Sequence, residues 1–217
     1  PSWYLMPDVF ERFFEFFDRK PEDYYEIIRL DPHYRIFFKD QKTVDIVADV
    51  EQNKLVFEQI EKGAGEALGR YLDNSKRTYE LGMQNFVYKD RPRLRDYISL
   101  DVLLNANKIS LFGSMQKHVN KYFLDSKLQQ IMQYTLVFLG GSPKNTPALY
   151  NLMSHVDFNL GVYYPEGGIG KVISSISELG KELGVTYKLG FEVDSIENEN
   201  GLFSVKSKTG GETKSDV

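Results

Sequence analysis

Two glycine- and proline-rich segments, residues 140–147 and 161–170, restrict the fold of this chain more than any other part of its sequence. The first, Gly-Gly-Ser-Pro-Lys-Asn-Thr-Pro, predicts a turn and then a helix with Thr146 as its N-cap and Pro147 at its first position. The second, Gly-Val-Tyr-Tyr-Pro-Glu-Gly-Gly-Ile-Gly, predicts a short aromatic strand, a glycine-rich turn and the start of another helix. Each segment alone is ordinary turn chemistry, and it is their order and spacing that is informative.

The composition limits the classes of function that are open to the chain. With 41% hydrophobic and 14% aromatic residues, its 217 residues are enough for a sizeable core. The net charge of −4 argues against a nucleic-acid partner, because no basic surface is needed to balance phosphates. The chain has no cysteine, and its three histidines lack the spacing of metal ligands. We therefore expect no bound metal and no nucleic acid.

Helical periodicity dominates the first half of the sequence. Phenylalanines at helical spacing predict a helix over residues 8–18. Residues 50–83 predict a long helical region, in which Gly63, Gly65 and Gly69 indicate a kink or a close helix crossing. Three short strands are expected between these helices, over residues 25–30, 34–39 and 43–47.

The middle of the chain also favours helices. A charged loop at residues 89–93 precedes a helix that we expect to begin at Ser99 and to reach Phe123. A further helix is expected to begin near Ser126 and to end before Gly140, since glycine commonly stops a helix.

The last third of the sequence changes character. Apolar residues at helical spacing predict a helix over residues 169–183 that ends at Gly184. Turn signals after it separate four predicted strands, over residues 185–189, 191–196, 202–207 and 213–217. A strand, a helix and a parallel strand form the unit of α/β nucleotide-binding folds.

These patterns predict an α+β fold related to α/β proteins. We expect a mixed sheet of three or more strands from residues 25–47 and 161–164, covered by helices from residues 50–160. Residues 1–160 would form one part of the molecule, and residues 161–217 would form a strand–helix–strand–hairpin part.

Several local sequences, in their order along the chain, resemble the bacterial-type phytoene or carotenoid desaturases, a group of flavin amine oxidase-like enzymes. The best matches are Gly-Gly-Ser-Pro at residues 140–143 and Tyr-Pro-Glu-Gly-Gly-Ile-Gly at residues 164–170. Weaker ones are residues 1–7, 28–38 and 69–73. The resemblance covers nearly the whole chain.

This resemblance implies an FAD-dependent oxidoreductase that dehydrogenates CH–CH bonds of a long isoprenoid such as phytoene. Residues 1–160 would bind substrate, and residues 161–217 would belong to the FAD-binding domain. The family's Gly-x-Gly-x-x-Gly phosphate loop does not occur here, so we expect both ends to be truncated and the 217 residues alone to hold FAD weakly and to be inactive. A flavin amine oxidase-like enzyme and a non-catalytic module that binds a lipid or a partner are the alternatives.

The resemblance also implies specific contacts. Gly167 and Gly168 would lie near the flavin, and the backbone of Val193 would contact the adenine ring. By their sequence alone, the glycines are a helix start and Val193 is an ordinary strand residue. Tyr164, Pro165 and Gly170 would bind the substrate and line its tunnel. No catalytic side chain is expected, because the flavin itself accepts the hydride.

A lipophilic substrate implies contact with a membrane surface. We expect a cytoplasmic protein that attaches peripherally to the cytoplasmic membrane through the aromatic segment of residues 3–17. Phe16 and Trp3 are the side chains of this segment that we expect to be exposed.

Overall fold

The computed structural model describes residues 3–88 and 113–216. The chain divides into two compact units, Pro1–Val172 and Ile173–Val217. Helices and small antiparallel sheets make up the described residues, so the fold class is α+β. The charged loop at residues 89–93 and the helix start at Ser99 lie outside the described residues.

Helix α1, Pro7–Glu15, opens the first unit and leads to two small sheets. Strand β1, Ile27–Arg29, pairs antiparallel with β4, Tyr163–Pro165. Tyr4 extends this pair through a backbone bridge to Tyr163. Residues 25–47 and 161–164 are thus joined, as predicted.

The predicted single mixed sheet is wrong. Strands β2, Tyr34–Phe37, and β3, Thr43–Ile46, form their own antiparallel hairpin, and each described sheet of the first unit has two strands. Pro32 lies between β1 and β2 and has no amide hydrogen to continue a ladder. The chain therefore leaves the first pair before the second begins.

The long helical region is two helices, α2, Val50–Ile60, and α3, Ala64–Gly82. They meet at a tight corner, where Gly63 has a φ of 85°. A side chain on Gly65 would place its Cβ 2.7 Å from the carbonyl oxygen of Lys54, so the helices cross closely there. The close crossing predicted from the glycines is confirmed at Gly65. A π-helical segment, Met83–Val87, follows α3.

Short helical segments complete the first unit: Met115–Val119, Ser126–Gln133, Tyr134–Leu139, Ala148–Asn151, Leu152–Ser154 and His155–Leu160. Their apolar faces pack on β3, α2 and α3. Burial of each large apolar side chain stabilises the fold by about 1.5–3 kcal/mol. The core includes Ile46, Phe57, Leu68, Tyr71, Met115, Phe123, Leu128 and Phe158.

Two helix predictions in this region are wrong within the described residues. The helix expected to run to Phe123 covers only Met115–Val119 there, and the Ser114 hydroxyl caps its start. Thr146 is not an N-cap, because its hydroxyl donates to the Ser142 carbonyl at 2.9 Å and the helical segment begins after Pro147. The predicted stop at Gly140 is confirmed by its φ of 61°.

The helix Ile169–Glu182 ends before Gly184, which has a φ of 85°, as predicted. The second unit also contains an antiparallel sheet of three strands in the order β5, Val193–Glu199, β6, Leu202–Ser207, and β7, Glu212–Ser215. The predicted hairpin is confirmed.

The predicted strand over residues 185–189 is wrong, since this segment is irregular and exposed. Among the described residues β5 pairs with β6 and β4 pairs with β1, so the predicted parallel pair is not formed either. A strand is stable only with a partner, and local sequence does not specify one.

Candidate functional site

A tight turn, residues 165–168, joins β4 to the helix Ile169–Glu182. Five of the six predicted site residues lie in this turn or within two residues of it. The amide of Gly168 donates to the Pro165 carbonyl at 2.9 Å, and Gly167 has a φ of 79°. A positive φ at the third residue is the requirement of a type II turn and explains this glycine. Gly168 has a φ of 85°, a second position that favours glycine.

The side chains around this turn leave part of its backbone open. Tyr164 is 40% exposed, and its hydroxyl lies 3.4 Å from the position that a Cβ on Gly168 would take. No atom lies within 4 Å of a Cβ built on Gly170. A ligand can therefore approach the first turn of the helix. Pro165 is buried.

Val193, the sixth predicted site residue, is the first residue of β5 in the second unit. It pairs with Ser207, and the ladder is irregular between Val193 and Ser195. Its side chain is 48% exposed. Val193 is therefore a partly exposed residue at the start of a strand.

An apolar cleft of about 300 Å³ lies directly beside the turn. Both of its walls are apolar: residues 3–10 form one, and the first turn of the helix Ile169–Glu182 forms the other. The lining side chains are Trp3, Tyr4, Leu5, Phe10, Ile169 and Val172. Sequence analysis predicted a tunnel lined by Tyr164, Pro165 and Gly170 and did not assign these six residues to its lining, although the aromatic excess of residues 3–17 was a signal for them.

The wall formed by residues 3–10 is held in place by aromatic contacts and a hydrogen bond. The rings of Tyr4 and Phe10 stack with centroids 4.5 Å apart. The hydroxyl groups of Tyr4 and Tyr25 share a hydrogen bond of 2.9 Å. Tyr4 and Tyr25 are buried, and burial raises the pKa of both phenols. These side chains stay neutral and hold the wall formed by residues 3–10 in place.

Trp3 is half-buried, and the prediction that it is exposed is wrong. Its indole stacks on the ring of Tyr34 with centroids 5.2 Å apart and planes 23° apart. The edges of Tyr134 and Phe138 approach the indole, at 5.9 Å and 5.4 Å between centroids. Three aromatic partners give Trp3 a defined orientation.

A buried carboxyl group lies behind this aromatic cluster. The hydroxyl of Tyr34 donates to Oδ2 of Asp157 at 2.6 Å. Burial raises the pKa of Asp157 to about 7, although the hydrogen bond from Tyr34 favours the charged form and opposes this shift. Near neutral pH the group is therefore divided between its two protonation states. Perturbed carboxyl groups of this kind are common at functional sites.

His33 faces the other oxygen of this carboxyl group. Its Nδ1 lies 3.9 Å from Oδ1 of Asp157, too far for a hydrogen bond. Burial lowers the pKa of His33, so the imidazole is neutral at physiological pH. Sequence analysis gave no signal for Asp157, because its burial depends on residues distant in sequence.

A larger groove of about 570 Å³ has different chemistry. Charged and amide side chains from β3, α2 and the start of the helix Ser126–Gln133 line it, together with the apolar residues Val44, Val47, Val56 and Ile60. Lys127 within it pairs with Asp40, and Asp125 caps the helix. The charges in this lining make the groove a poorer match for a hydrocarbon ligand than the uncharged cleft.

Phe16 is the outstanding exposed aromatic residue of α1 and its end. It is 82% exposed, which confirms the prediction for this side chain, and Val9 and Phe13 of the same segment are also exposed. Across residues 3–88 and 113–216, no helix combines the length and apolar character needed to cross a membrane. The same described ranges contain no group of three or more His, Cys, Asp or Glu residues that could hold a metal ion.

Known proteins with similar sequences are named as carotenoid or phytoene desaturases and as oxygenases of carotenoid-like compounds. Over its whole length the chain is 58% identical to a carotenoid 3,4-desaturase of Haloarcula japonica, and it spans 44% of that protein. It is 29% identical over 98% of its length to a zeta-carotene-forming phytoene desaturase of Myxococcus xanthus, of which it spans 41%. The resemblance to carotenoid desaturases stated from the sequence is confirmed, and the chain spans less than half the length of these relatives.

A solved structure shows the same fold at a much greater distance. RAB GDI from Plasmodium falciparum superposes with a TM-score of 0.51 over 100% of this chain and 48% of its own, at 14% identity. That likeness concerns the fold alone. Residues 11–217 match the family described as flavin containing amine oxidoreductase. The chain therefore belongs to the flavin containing amine oxidoreductase family.

Proposed function

We propose that this protein is an FAD-dependent oxidoreductase that dehydrogenates CH–CH bonds of a long isoprenoid, such as a carotenoid or phytoene. The observation that carries the proposal is the aromatic cleft beside the glycine turn of residues 165–168. The names of the relatives, a carotenoid 3,4-desaturase among them, supply the chemical class of the substrate.

The lining of the cleft favours a hydrocarbon chain over an amine. None of its six lining side chains carries a charge. Each 100 Å² of apolar surface that a chain buries there contributes about 2.5 kcal/mol. A cationic amine would lose its hydration in such a cleft, where the aromatic rings offer it cation–π contacts but no lining carboxylate balances its charge. The amine oxidase-like alternative therefore has less support than the desaturase. Tyr164, Pro165 and Gly170 do not line the cleft itself, and we propose them as substrate contacts at the turn, next to its lining residue Ile169.

The cofactor proposal is FAD, in agreement with the flavin named in the family description. When bound, FAD would accept the hydride removed from the substrate. The open backbone at Gly170 and the positive φ angles of Gly167 and Gly168 suit a flat ring that approaches the turn closely. We propose the backbone of Gly167 and Gly168 as flavin contacts and that of Val193 as an adenine contact. The 217 residues contain no Gly-x-Gly-x-x-Gly loop, so no pyrophosphate contact is proposed here.

These assignments give the two parts of the chain different roles. Residues 1–160 would hold the substrate, and residues 161–217 would belong to the FAD-binding part. Phe16, with Val9 and Phe13, would let the protein attach to a membrane surface from the cytoplasm and take up a lipophilic substrate there.

Gly170 gives the sharpest test of this proposal. An alanine there meets open space and has no positive φ to adopt, so Gly170→Ala should leave the fold intact or stabilise the helix by about 0.5–1 kcal/mol. If a flavin and a polyene meet at this turn, the methyl group should lower desaturation about tenfold or more. Turnover is measured by the absorbance change of the polyene with the FAD-loaded protein.

Gly69→Ala is the matched control. Its added Cβ would meet only the flexible end of the Lys54 side chain, at 3.4 Å, and it lies in α3 rather than at the turn. Full activity in both variants would count against the site. A longer chain that includes a Gly-x-Gly-x-x-Gly loop and still never retains flavin, tested by its absorbance after gel filtration, would favour the non-catalytic lipid-binding alternative.

A further inference from the structure

Three side chains form a continuous path from the buried carboxyl group to the apolar cleft. Asp157 accepts the hydrogen bond of Tyr34, and the ring of Tyr34 stacks on the indole of Trp3. Trp3 in turn lines the cleft. The three residues come from distant parts of the sequence, so only the folded chain assembles them.

The geometry of this path is suited to holding one ring in place. The hydrogen bond fixes the phenol oxygen of Tyr34 at 2.6 Å from Asp157, which limits rotation of the Tyr34 ring. The indole of Trp3 lies almost parallel to that ring, with an angle of 23° between the planes. A change in the tilt of Tyr34 therefore alters one of the three aromatic contacts that orient Trp3 at the wall of the cleft.

We propose that Asp157, acting through Tyr34, is the positioning residue that holds the Trp3 indole at the wall of the isoprenoid-binding cleft. The identity of the ligand rests on the proposed function. Trp3 contacts the ligand, whereas Tyr34 and Asp157 act through it. A conjugated chain lies well against a flat indole, because both present an extended π surface.

Asp157 is the dominant titrating member of this cluster because of the three groups that face it. Tyr34 lies in β2, His33 is the residue before β2, and Tyr134 belongs to the segment Tyr134–Leu139. Burial raises the pKa of both phenols and lowers that of His33. Arg29 and Asp31 act on His33 with opposite signs.

The protonation state of Asp157 should therefore affect the affinity of the cleft for its ligand. A carboxylate accepts a stronger hydrogen bond than a neutral carboxylic acid, so Tyr34 and Trp3 are held more firmly when Asp157 is charged. Because burial raises the pKa of Asp157 to about 7, the charged form prevails above that pH. Affinity for an apolar polyene should rise as the pH increases through this region.

Trp3 reports on its own position, because it is the single tryptophan of the 217 residues. Its fluorescence, excited where tyrosine does not absorb, is followed during titration of the chain with the methyl ester of cis-parinaric acid, an uncharged tetraene that quenches tryptophan by energy transfer. Tyr34→Phe keeps the stacked ring and removes only the hydroxyl group. We expect it to weaken polyene binding about three- to tenfold, the effect of losing one hydrogen bond. Tyr150→Phe, at an exposed tyrosine outside the cluster, is the control and should bind as the wild type does.

Asp157→Asn supplies a second readout that a merely structural role would not produce. Wild-type emission and affinity should titrate with a midpoint near pH 7, and this transition should be absent from Asp157→Asn. Tyr34→Phe should raise the midpoint, since the lost hydrogen bond favours the charged form. Asp45→Asn, in the same hairpin but paired with Arg35 at the surface, should keep the wild-type transition.

The outcomes separate this inference from the proposed function. Wild-type affinity in Tyr34→Phe, or an unchanged transition in Asp157→Asn, overturns the inference even if the FAD-loaded protein desaturates a carotenoid. The expected changes in Trp3, together with no desaturation by an FAD-loaded longer chain that includes a Gly-x-Gly-x-x-Gly loop, would support the positioning role and contradict the proposed function. Circular dichroism shows whether each variant is folded, and either variant alone is sufficient to decide.

Discussion

The side-chain amide of Asn53 satisfies both backbone groups of Val47. Its Nδ2 donates to the Val47 carbonyl at 2.8 Å, and its Oδ1 accepts from the Val47 amide at 3.0 Å. Asn53 is fully buried in α2, one turn after its start. The amide thus acts as a short substitute for a neighbouring strand at the end of β3 and joins the hairpin to the helical core.

Replacement of Asn53 should be strongly destabilising. Asn53→Ala leaves a buried amide and a buried carbonyl without partners, which we expect to lower the free energy of unfolding by about 2–4 kcal/mol. Chemical denaturation followed by circular dichroism measures the change. Gln52→Ala, at the exposed neighbouring position, should have an effect below about 0.5 kcal/mol. A small effect at Asn53 would show that water replaces its hydrogen bonds.

Gly65→Ala should loosen the crossing of α2 and α3. The new methyl group would lie 2.7 Å from the Lys54 carbonyl oxygen, and a backbone atom cannot move aside without shifting α2. We expect a loss of about 1–3 kcal/mol, as for overpacked cores. Thermal unfolding of this variant is compared with Gly69→Ala, which meets only a flexible lysine side chain. Equal melting temperatures would contradict the close crossing.

Asp157 should make stability depend on pH in an unusual direction for an aspartate. Its folded pKa of about 7 lies above the ordinary value of 3.8, so the folded state binds the proton more tightly than the unfolded state. The contribution of Asp157 to the free energy of unfolding is therefore most favourable at low pH. It falls as the pH rises between these two values and is constant above about 7. The full change is on the order of a few kcal/mol.

Asp157→Asn removes this dependence while keeping an oxygen that can accept from Tyr34. Relative to the wild type, the variant should gain stability as the pH is raised across that range, and denaturation curves at several pH values measure the difference. A difference between the two proteins that does not vary with pH would contradict the raised pKa of Asp157.

Phe16→Ser should reduce attachment to membranes. Phe16 is 82% exposed at the end of α1, and an aromatic ring of this kind contributes to binding when it enters the interface of a bilayer. Flotation with phospholipid vesicles measures the bound fraction. Leu124→Ser is the control, because Leu124 is equally exposed, at 83%, outside this segment. The same loss in both variants would indicate non-specific hydrophobic binding, and no loss in either would place the membrane surface elsewhere.

The sequence predicted local structure well where that structure depends on the backbone preferences of a few neighbouring residues. The stop at Gly140, the helix end at Gly184 and the hairpin of β5 and β6 all follow from backbone conformations that glycine favours. The strands over residues 34–37 and 43–46 lie within their predicted ranges. These features needed no knowledge of distant parts of the chain.

Pairing and burial were not predictable in the same way. Residues 185–189 have strand-like composition and no partner among the described residues, whereas Thr146 has a capping side chain and uses it on Ser142. The cleft and the environment of Asp157 bring together residues 3–10, Tyr34 and the region after residue 157. No local pattern encodes such contacts, because burial is a property of the assembled fold.

The pairing of β1 with β4 has a consequence for the order in which the protein can form. Ile27 lies opposite Pro165, so the first strand of the chain has no partner until most of the first unit has been synthesised. During translation, residues 27–29 leave the ribosome long before residues 163–165. The sheet closes a loop that contains the whole helical core, and contacts of such separation form slowly. The start of the chain, which lines the cleft, thus remains exposed to chaperones and proteases until synthesis passes the glycine turn.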